Sequence, residues 1–317
     1  MSPVAAGLPI GRSVLVKVPA TTANLGPGFD TLGLALSLYD ELSVTVRAEP
    51  GATVHVIGVG AGEVPVDATN LVVRAISHAF AAYGQELPGL DLVARNFIPH
   101  GRGLGSSGAA IVSGIMAAKG LLEGVVEIDS AGLLALATEM EGHPDNVAPA
   151  LFGGLTIAWM TAEGPQHKKL MVHRGVSPLV VVPESTMSTA LARSLNPSAV
   201  PHEDAIFNVS RSALLIAALI QSPELLFVAT EDKLHQAYRA SAMPETDALI
   251  QMLRGNGLPA VVSGAGPSIL VLCSDPAQRL VAVDLVGKAL TTPWQCLMLA
   301  VDFKGATVVP HPVEAVA

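Results

Sequence analysis

The chain has only two cysteines, Cys273 and Cys296, in 317 residues. Both sit in apolar surroundings and read as ordinary buried thiols in a reducing compartment, which excludes a disulfide framework and a cysteine-ligated metal. Charge is also scarce. Asp, Glu, Lys and Arg make up 14% of the residues, 27 acidic against 18 basic, for a formal net charge of −9. The acidic balance and the lack of Lys/Arg clusters exclude nucleic acid as the main partner. Arginines are scattered, so an anion site must be assembled by folding from single residues. Long hydrophobic runs are missing as well. The longest, such as Ala213 to Ile220, are far shorter than a membrane span, and no basic segment leads into an apolar stretch at the N-terminus. A cytoplasmic protein without a membrane partner is expected. Repeats, low-complexity segments and long linkers are absent.

What is present is a large apolar fraction, 50% of the chain, enough to bury a sizeable core. The length makes two domains the natural expectation. The sequence is organised around Pro99-His100-Gly101-Arg102-Gly103-Leu104-Gly105-Ser106-Ser107-Gly108-Ala109. A strand reads from Leu90 to Phe97, and Ile111, Ile115, Ala118 and Leu122 recur at helical spacing, so a helix starts near Gly105. A glycine-rich turn feeding a helix N-terminus lets backbone N–H groups approach an anion, and the helix dipole favours negative charge there. Ser106 and Ser107 add hydroxyl donors, so the stretch reads as a polyphosphate cradle. Two other readings stand beside it. Gly103 to Gly108 also fits GxGxxG, the pattern of a dinucleotide loop, and a tight turn with small residues for close packing satisfies the same spacing. No Lys follows the last glycine, which excludes a GxxxxGK[ST] loop.

Taken in order, Ser13 to Val18 is a short strand and Pro19 to Asp30 a turn-rich loop. It carries Asn24, Asp30 and an isolated Phe29 and reads as a binding loop or a plain surface connection. Strands follow over Leu32–Ala48 and Ala52–Val59. Asn70 reads as the cap of a helix through Leu71, Ala75, Ile76 and Ala79. A helix from Asp129 to Met140 runs into Glu139-Met140-Glu141-Gly142-His143-Pro144-Asp145-Asn146, either a solvated helix end or a cluster for proton, metal or hydrogen-bond chemistry. Phe152-Gly153-Gly154 is a turn, Leu155–Met160 a strand, and Glu163-Gly164-Pro165 a domain boundary, dividing the chain into 1–164 and 165–317. The second part has strands over Leu170–His173, Pro178–Pro183, Ala260–Val262, Ile269–Leu272 and Trp294–Val301. Its helices are a short one bearing Arg193, then His202–Gln221, one after Pro223, Glu245–Gly255 and Pro276–Leu290. Arg239 lies in a connection before Pro244, and Ser263 to Ser268 is a second glycine turn joining two buried strands. This half reads as an α+β sandwich.

Three small-residue stretches, Pro19–Asp30, Pro99–Ala109 and Ser263–Ser268, in this order resemble the motifs of the GHMP kinase superfamily of small-molecule kinases. Pro-Ala-Thr-Thr-Ala-Asn-Leu-Gly-Pro-Gly-Phe-Asp at 19–30 and Glu-Gly-His-Pro-Asp-Asn at 141–146 resemble the branch that acts on L-homoserine. The resemblance runs from Val16 to about Val308, with Gly108 where Ala is usual, a change that loosens the helix start slightly. It implies an α+β fold: an N-terminal domain like the second domain of ribosomal protein S5, with a left-handed βαβ unit, then a ferredoxin-like α/β sandwich. It also implies ATP and substrate between the domains, with Mg²⁺ on the triphosphate.

Residue by residue, the resemblance implies that Pro99, His100, Gly101, Arg102, Gly103, Leu104, Gly105, Ser106, Ser107, Gly108 and Ala109 bind ATP, with Asn70 on the adenosine side. Ser106 and Glu139 would hold Mg²⁺, with Glu141 as local competitor. Asn24, Asp30, His143, Asn146, Arg193 and Arg239 would bind the substrate, and Thr189 would lie near the reacting phosphate. Asp30 would take the substrate ammonium, and Arg193 with Arg239 the carboxylate. Asn146 stands where mevalonate kinase-like relatives carry a basic aspartate, and an amide accepts no proton usefully. The expectation is therefore direct attack of the substrate alcohol on the γ-phosphoryl group, driven by positioning and charge neutralisation, with His143 and Asp145 left as other acceptors. A homodimer is expected at the family level. Three rivals are weighed against this. A nicotinamide oxidoreductase needs an acidic ribose partner about 20 positions past the loop, for which Glu127 and Asp129 are the candidates. A silent sensor would keep the pocket without turnover, and another small-alcohol kinase would keep the chemistry with a different substrate.

Overall fold

β1 (Ser13–Asn24) and β2 (Gly28–Arg47) form one long antiparallel hairpin, in register from Ser13↔Thr45 and shifted at Pro19/Ala20 and Ala23/Asn24. The structure, a computed structural model, describes residues 8–289 and 294–311. The expected loop at 19–30 is thus mostly strand, and the turn itself is only Leu25–Pro27. Its small residues are buried neighbours of other backbones: Thr21 N donates to Leu104 O (3.1 Å), and Gly264 N donates to Ala23 O (3.1 Å). The local turn signal was real, but the close approach of other segments gave its flanks strand partners.

β3 (Ala52–Gly58), α1 (Leu71–Ala82) and β4 (Gly89–Asn96) make a βαβ unit, because β3 and β4 pair in parallel across the helix. α2 (Ser106–Leu121) follows the glycine loop. It is buried on nearly every side by Ile111, Val112, Ile115, Met116 and Leu121, as a central helix must be. α3 (Ser130–Glu141) ends on Gly142 in the left-handed conformation (φ 90°). The expected helix end is therefore only the first half of the segment. His143 then caps a second helix, α4 (Pro144–Phe152), with Pro144 in its first turn, where a missing N–H costs nothing.

β5 (Leu155–Thr161) and β6 (Gly164–Leu170) are a hairpin, and β5 also pairs with β2. Glu163-Gly164-Pro165 is consequently a hairpin turn rather than a domain boundary. Gly and Pro punctuate both kinds of connection, so the signal was ambiguous. The first sheet continues to Leu170, and the expected strand at Leu170–His173 does not form beyond that residue.

The second layer begins with β7 (Ser177–Val182), followed by α5 (Thr189–Ser194), α6 (His202–Ile220), α7 (Leu226–Ala229), α8 (Gln236–Arg239) and α9 (Pro244–Gly255). β8 (Ala260–Val262), β9 (Ile269–Cys273), α10 (Pro276–Ala289) and β10 (Gln295–Met298) complete it. Leu290, the expected end of the last helix, lies outside the described residues. The four strands order β10-β7-β9-β8, all antiparallel, the ferredoxin-like arrangement with helices in the crossovers. Past β10 the chain returns to the first sheet. Val301 bridges Leu36, and β11 (Thr307–Pro310) pairs with β1. The architecture is the expected two-domain α+β fold, but β6 and β11, both assigned by position to 165–317, belong to the first sheet. Among the described residues no helix is long and apolar enough to cross a membrane.

Candidate active site

The glycine loop is held from three sides. At its start, Asp40 Oδ1 accepts Phe97 N (2.7 Å) and Ile98 N (2.9 Å), and burial pushes the Asp40 carboxyl up to about 6 against the lowering effect of those bonds. Gly103 and Gly105 both have positive φ (71° and 69°) and both lie under close neighbours. A Cβ on Gly103 would stand 2.0 Å from Ser263 O, and one on Gly105 2.0 Å from Thr21 Oγ1. Only glycine fits either position. Gly105 caps α2 without a side-chain bond, so the N–H groups of Ser106, Ser107 and Gly108 remain for an anion.

Not every residue of the stretch faces that site. Leu104 is fully buried in the core, and Ala109 with it. Arg102 turns away: Nε donates to Pro183 O (2.8 Å) and Nη2 to Glu184 O (2.6 Å), bracing the loop on the end of β7. Pro99 lines a shallow cleft with Arg102 at that same place. At these four positions the side chains brace or pack the loop, so what the stretch offers an anion there is backbone.

Two pockets meet at Ser106 and Ser107. One, about 230 Å³, is lined by apolar Leu42, Val56, Leu71 and Val72 together with Asn70 and His100. Asn70 Oδ1 caps α1 through Val72 N (2.9 Å), as its position predicts, and the residue also lines this pocket. The other pocket, about 190 Å³, gathers Asn24, Asp30, His143, Asn146, Thr189, Arg193 and Arg239 along with Gly101, Gly103 and Gly105. The substrate residues named from sequence are thus brought together.

The metal assignment needs correcting. Glu139 points to solvent and bonds His78 Nε2 through Oε2 (3.0 Å), whereas Glu141 lines the pocket and accepts Ser107 Oγ (2.9 Å). Two residues along a helix are about 200° apart, so only one of the pair can face the site. Burial raises the Glu141 carboxyl, and the Ser107 bond opposes that shift. Among the described residues no group of three or more His, Cys, Asp or Glu is built to hold a metal. One carboxylate beside serine hydroxyls nevertheless suits Mg²⁺ that keeps its waters and sits chiefly on phosphate oxygens.

The charged pair is also rearranged. Asp30 and Arg193, expected at opposite ends of the substrate, form a fork-to-fork pair, Nη2–Oδ1 2.8 Å and Nη1–Oδ2 3.0 Å. α5 leans over the β1–β2 turn, and opposite charges facing across a narrow pocket close on each other. Arg239 lies on α8 rather than in a connection and is 2% exposed. Nε donates to Asn196 Oδ1 (3.1 Å), its guanidinium lies 5.1 Å from the Phe29 ring centroid, and burial lowers its pKa. Among the described residues no carboxylate is within ion-pair distance of it.

Asn146 Oδ1 accepts the Thr21 hydroxyl (3.0 Å), which leaves the amide N–H₂ for the pocket. His143 Nδ1 bonds buried Asp145, whose hydrogen bond is the main cause of the raised His143 pKa. Its Nε2 remains for the pocket. The Ser263–Ser268 turn ties the motifs together: Ser263 Oγ donates to Gly103 O (2.7 Å), and Asn24 Nδ2 donates to Gly264 O (2.9 Å). Sequence reading missed Thr21, Asn196 and His235. The spacing of His235 and Arg239, four apart, was the signal available for the last. The acidic candidates for a dinucleotide site fall away, because Asp129 caps α3 and Glu127 lies beyond the far end of α2 from Gly105.

A glycine loop opening a helix, an apolar pocket on one side and a charged pocket on the other define a small-molecule kinase. Residues 70–154 match the family described as GHMP kinases N terminal domain, and residues 214–288 match GHMP kinases C terminal. The chain is 77% identical over 307 residues to the homoserine kinase of Leifsonia xyli subsp. xyli, covering 97% of this chain and 95% of that protein. It is 49% identical over 300 residues to the homoserine kinase of Streptomyces coelicolor, covering 94% and 95%. The crystal structure of homoserine kinase from Cytophaga hutchinsonii superposes with a TM-score of 0.83 at 28% identity, over 94% of this chain and 98% of that one. The chain belongs to the homoserine kinases of the GHMP kinase superfamily.

Proposed function

We propose that this chain transfers the γ-phosphoryl group of ATP to the primary hydroxyl of L-homoserine, giving ADP and O-phospho-L-homoserine, a step of threonine biosynthesis. One observation carries the substrate: Arg239 is a buried guanidinium without a carboxylate partner among the described residues, beside the helix N-terminus that suits phosphate. An uncompensated buried charge is costly, and the substrate carboxylate supplies its counter-ion. The ammonium then goes to Asp30, so a zwitterion exchanges with the Asp30–Arg193 pair, and its carboxylate is shared by Arg239 and the released Arg193.

The adenosine part occupies the apolar pocket by Asn70 and His100, and the phosphates lie on the free amides of α2 and the loop. Mg²⁺, when bound with ATP, neutralises charge on the triphosphate, and Ser106 and Glu141 are the residues that would hold it. Asn146 offers its N–H₂ to the substrate hydroxyl or the transferring group. It orients and does not accept the proton, which supports direct attack without a side-chain base. The His143–Asp145 pair supports a second reading, because its Nε2 can take that proton. His143→Gln separates the two. Under direct attack it weakens substrate binding and leaves the single-turnover step within about 100-fold, the low end for a lost general base. A larger loss, restored by imidazole, makes His143 the base.

The family reading adds a cytoplasmic location and a homodimer, tested by cell fractionation and by light scattering. The central test is ADP release with L-homoserine, mevalonate and galactose. L-Homoserine should dominate, and comparable kcat/KM for the three overturns the assignment.

A further inference from the structure

The β1–β2 turn is clasped by the second domain. Pro27 O accepts Asn208 Nδ2 (2.8 Å) and Ser212 Oγ (2.5 Å), both from α6. Gly26, at φ 88°, lies so close to the chain before α8 that a Cβ would stand 2.6 Å from Thr230 O. Gly26 O is bonded by His235 Nε2 at 2.8 Å. A carbonyl only accepts, so the imidazole proton is on Nε2. Nδ1 is buried and has no partner among the described residues, which leaves the ring as a neutral Nε2–H tautomer. Burial also lowers its pKa, with Asp232 opposing and Arg239 assisting.

His235 is 0% exposed, and its ring stacks on Phe29 with centroids 5.0 Å apart and planes at 22°. Arg239, one helical turn on, reaches the same Phe29 ring at 5.1 Å. Phe29 precedes Asp30 directly, so imidazole, phenyl ring and guanidinium form one connected block. Its two ends are the carboxylate of Asp30 and the cation of Arg239. Side chains locked by packing and by a second set of hydrogen bonds hold a site to tighter geometry than the contacting residues do alone.

We propose that His235 is a positioning residue for substrate selection: by pinning Gly26 and Phe29 to α8 it fixes where Asp30 and Arg239 hold the α-ammonium and α-carboxylate, and with them how far the substrate hydroxyl reaches. The inference rests on the reading of L-homoserine as substrate. His235 touches neither substrate nor nucleotide in that reading. It acts through Phe29 and Arg239.

The test compares wild type, His235→Leu and His235→Gln, the second of which keeps a donor within reach of Gly26 O. His235→Leu is expected to raise KM for L-homoserine about tenfold or more while KM for ATP stays within about twofold. It should also lower the preference for L-homoserine over 2-amino-5-hydroxypentanoate, one methylene longer, by about fivefold. His235→Gln should recover most of both. An unchanged KM and preference in folded His235→Leu overturns the proposal, as does an equal rise in KM for ATP. A wild-type enzyme that does not phosphorylate L-homoserine removes the substrate reading itself, a different result. Should His235→Leu fail to fold, nitrogen NMR of wild-type histidine decides. The Nε2–H tautomer, with a resonance that moves on adding L-homoserine and not on adding ATP, supports the proposal. An Nδ1–H tautomer, or no response to L-homoserine, overturns it.

Discussion

The Thr21 hydroxyl donates to Asn146 Oδ1 at 3.0 Å, joining the buried end of β1 to the first turn of α4 directly beneath Gly105. The bond fixes which way the Asn146 amide faces, so its donors and not its acceptor reach the pocket.

Thr21→Val keeps the shape and removes the hydroxyl. A side-chain hydrogen bond contributes about 1 kcal/mol net, so kcat should fall roughly fivefold to tenfold, with smaller changes in either KM. Pre-steady-state phosphoryl transfer checks this. An unchanged chemical step would mean that Asn146 needs no orienting partner.

The second expectation concerns metal. Glu141→Gln should raise the Mg²⁺ concentration needed for half-maximal rate and lower kcat by about tenfold or more, the scale of lost metal-site interactions. Glu139→Gln should leave both within about twofold, since exposed pairs such as Glu139–His78 contribute little. Titration of activity with Mg²⁺ ranks the two, and the opposite order would return the role to Glu139.

Those two glutamates show what a sequence carries and where it stops. The composition and spacing around Gly103–Gly105 already marked a glycine loop opening a helix, and the structure has both. Asp30, Arg193 and Arg239, far apart in the chain, converge in one pocket, as their charges required. Which of Glu139 and Glu141 turns inward depends on the rotation of α3, which its weakly amphipathic sequence does not settle. The pairing of Asp30 with Arg193 depends on how far α5 leans over the β1–β2 turn, a property of two domains together. Likewise β11 finds its partner in β1, at the opposite end of the sequence order, which no local pattern announces. His235 carries no motif of its own, and its role emerges only from what Gly26 and Phe29 do around it.

A third expectation is a pH dependence of stability. Burial holds the His235 pKa below its ordinary 6.5, with Asp232 and Asp30 opposing and Arg239 assisting. The unfolded chain therefore binds a proton at this site that the folded chain refuses. The stabilising contribution is complete above pH 6.5 and is lost as pH falls through that value toward the folded-state pKa. Urea unfolding midpoints from pH 8 down to about pH 5 should fall, and His235→Gln should remove that part of the slope. His143, whose pKa is raised, contributes with the opposite sign, so the difference between variant and wild type is the quantity to read. Parallel curves for the two proteins would show that His235 does not titrate on unfolding.

The Asp30–Arg193 pair leads to the sharpest expectation, about which molecules the pocket accepts. The two side chains already neutralise each other across the pocket, and Arg239 stands behind them with Asp30 and Asp232 acting on it only from beyond ion-pair distance among the described residues. A ligand with both charges can open the Asp30–Arg193 pair, placing its ammonium on Asp30 and its carboxylate between the two arginines. 4-Hydroxybutyrate satisfies Arg239 but has no ammonium to displace Arg193 from Asp30, so the pair stays closed across the pocket. Homoserine methyl ester offers the ammonium and leaves Arg239 uncompensated. The Asp30–Arg193 pair is only half-buried, so the penalty is discounted for solvent, and L-homoserine should exceed either compound in kcat/KM by about tenfold or more. Asp30→Asn should lower activity on L-homoserine and narrow its lead over 4-hydroxybutyrate. Arg239→Leu should narrow the lead over the ester. L-Threonine matches both charges but carries its hydroxyl one carbon closer, so it should compete with L-homoserine and be phosphorylated poorly. Steady-state rates for the four compounds on the three proteins decide the matter. Similar kcat/KM values in the wild-type enzyme would remove Asp30, Arg193 and Arg239 from substrate recognition, whatever their positions in the pocket.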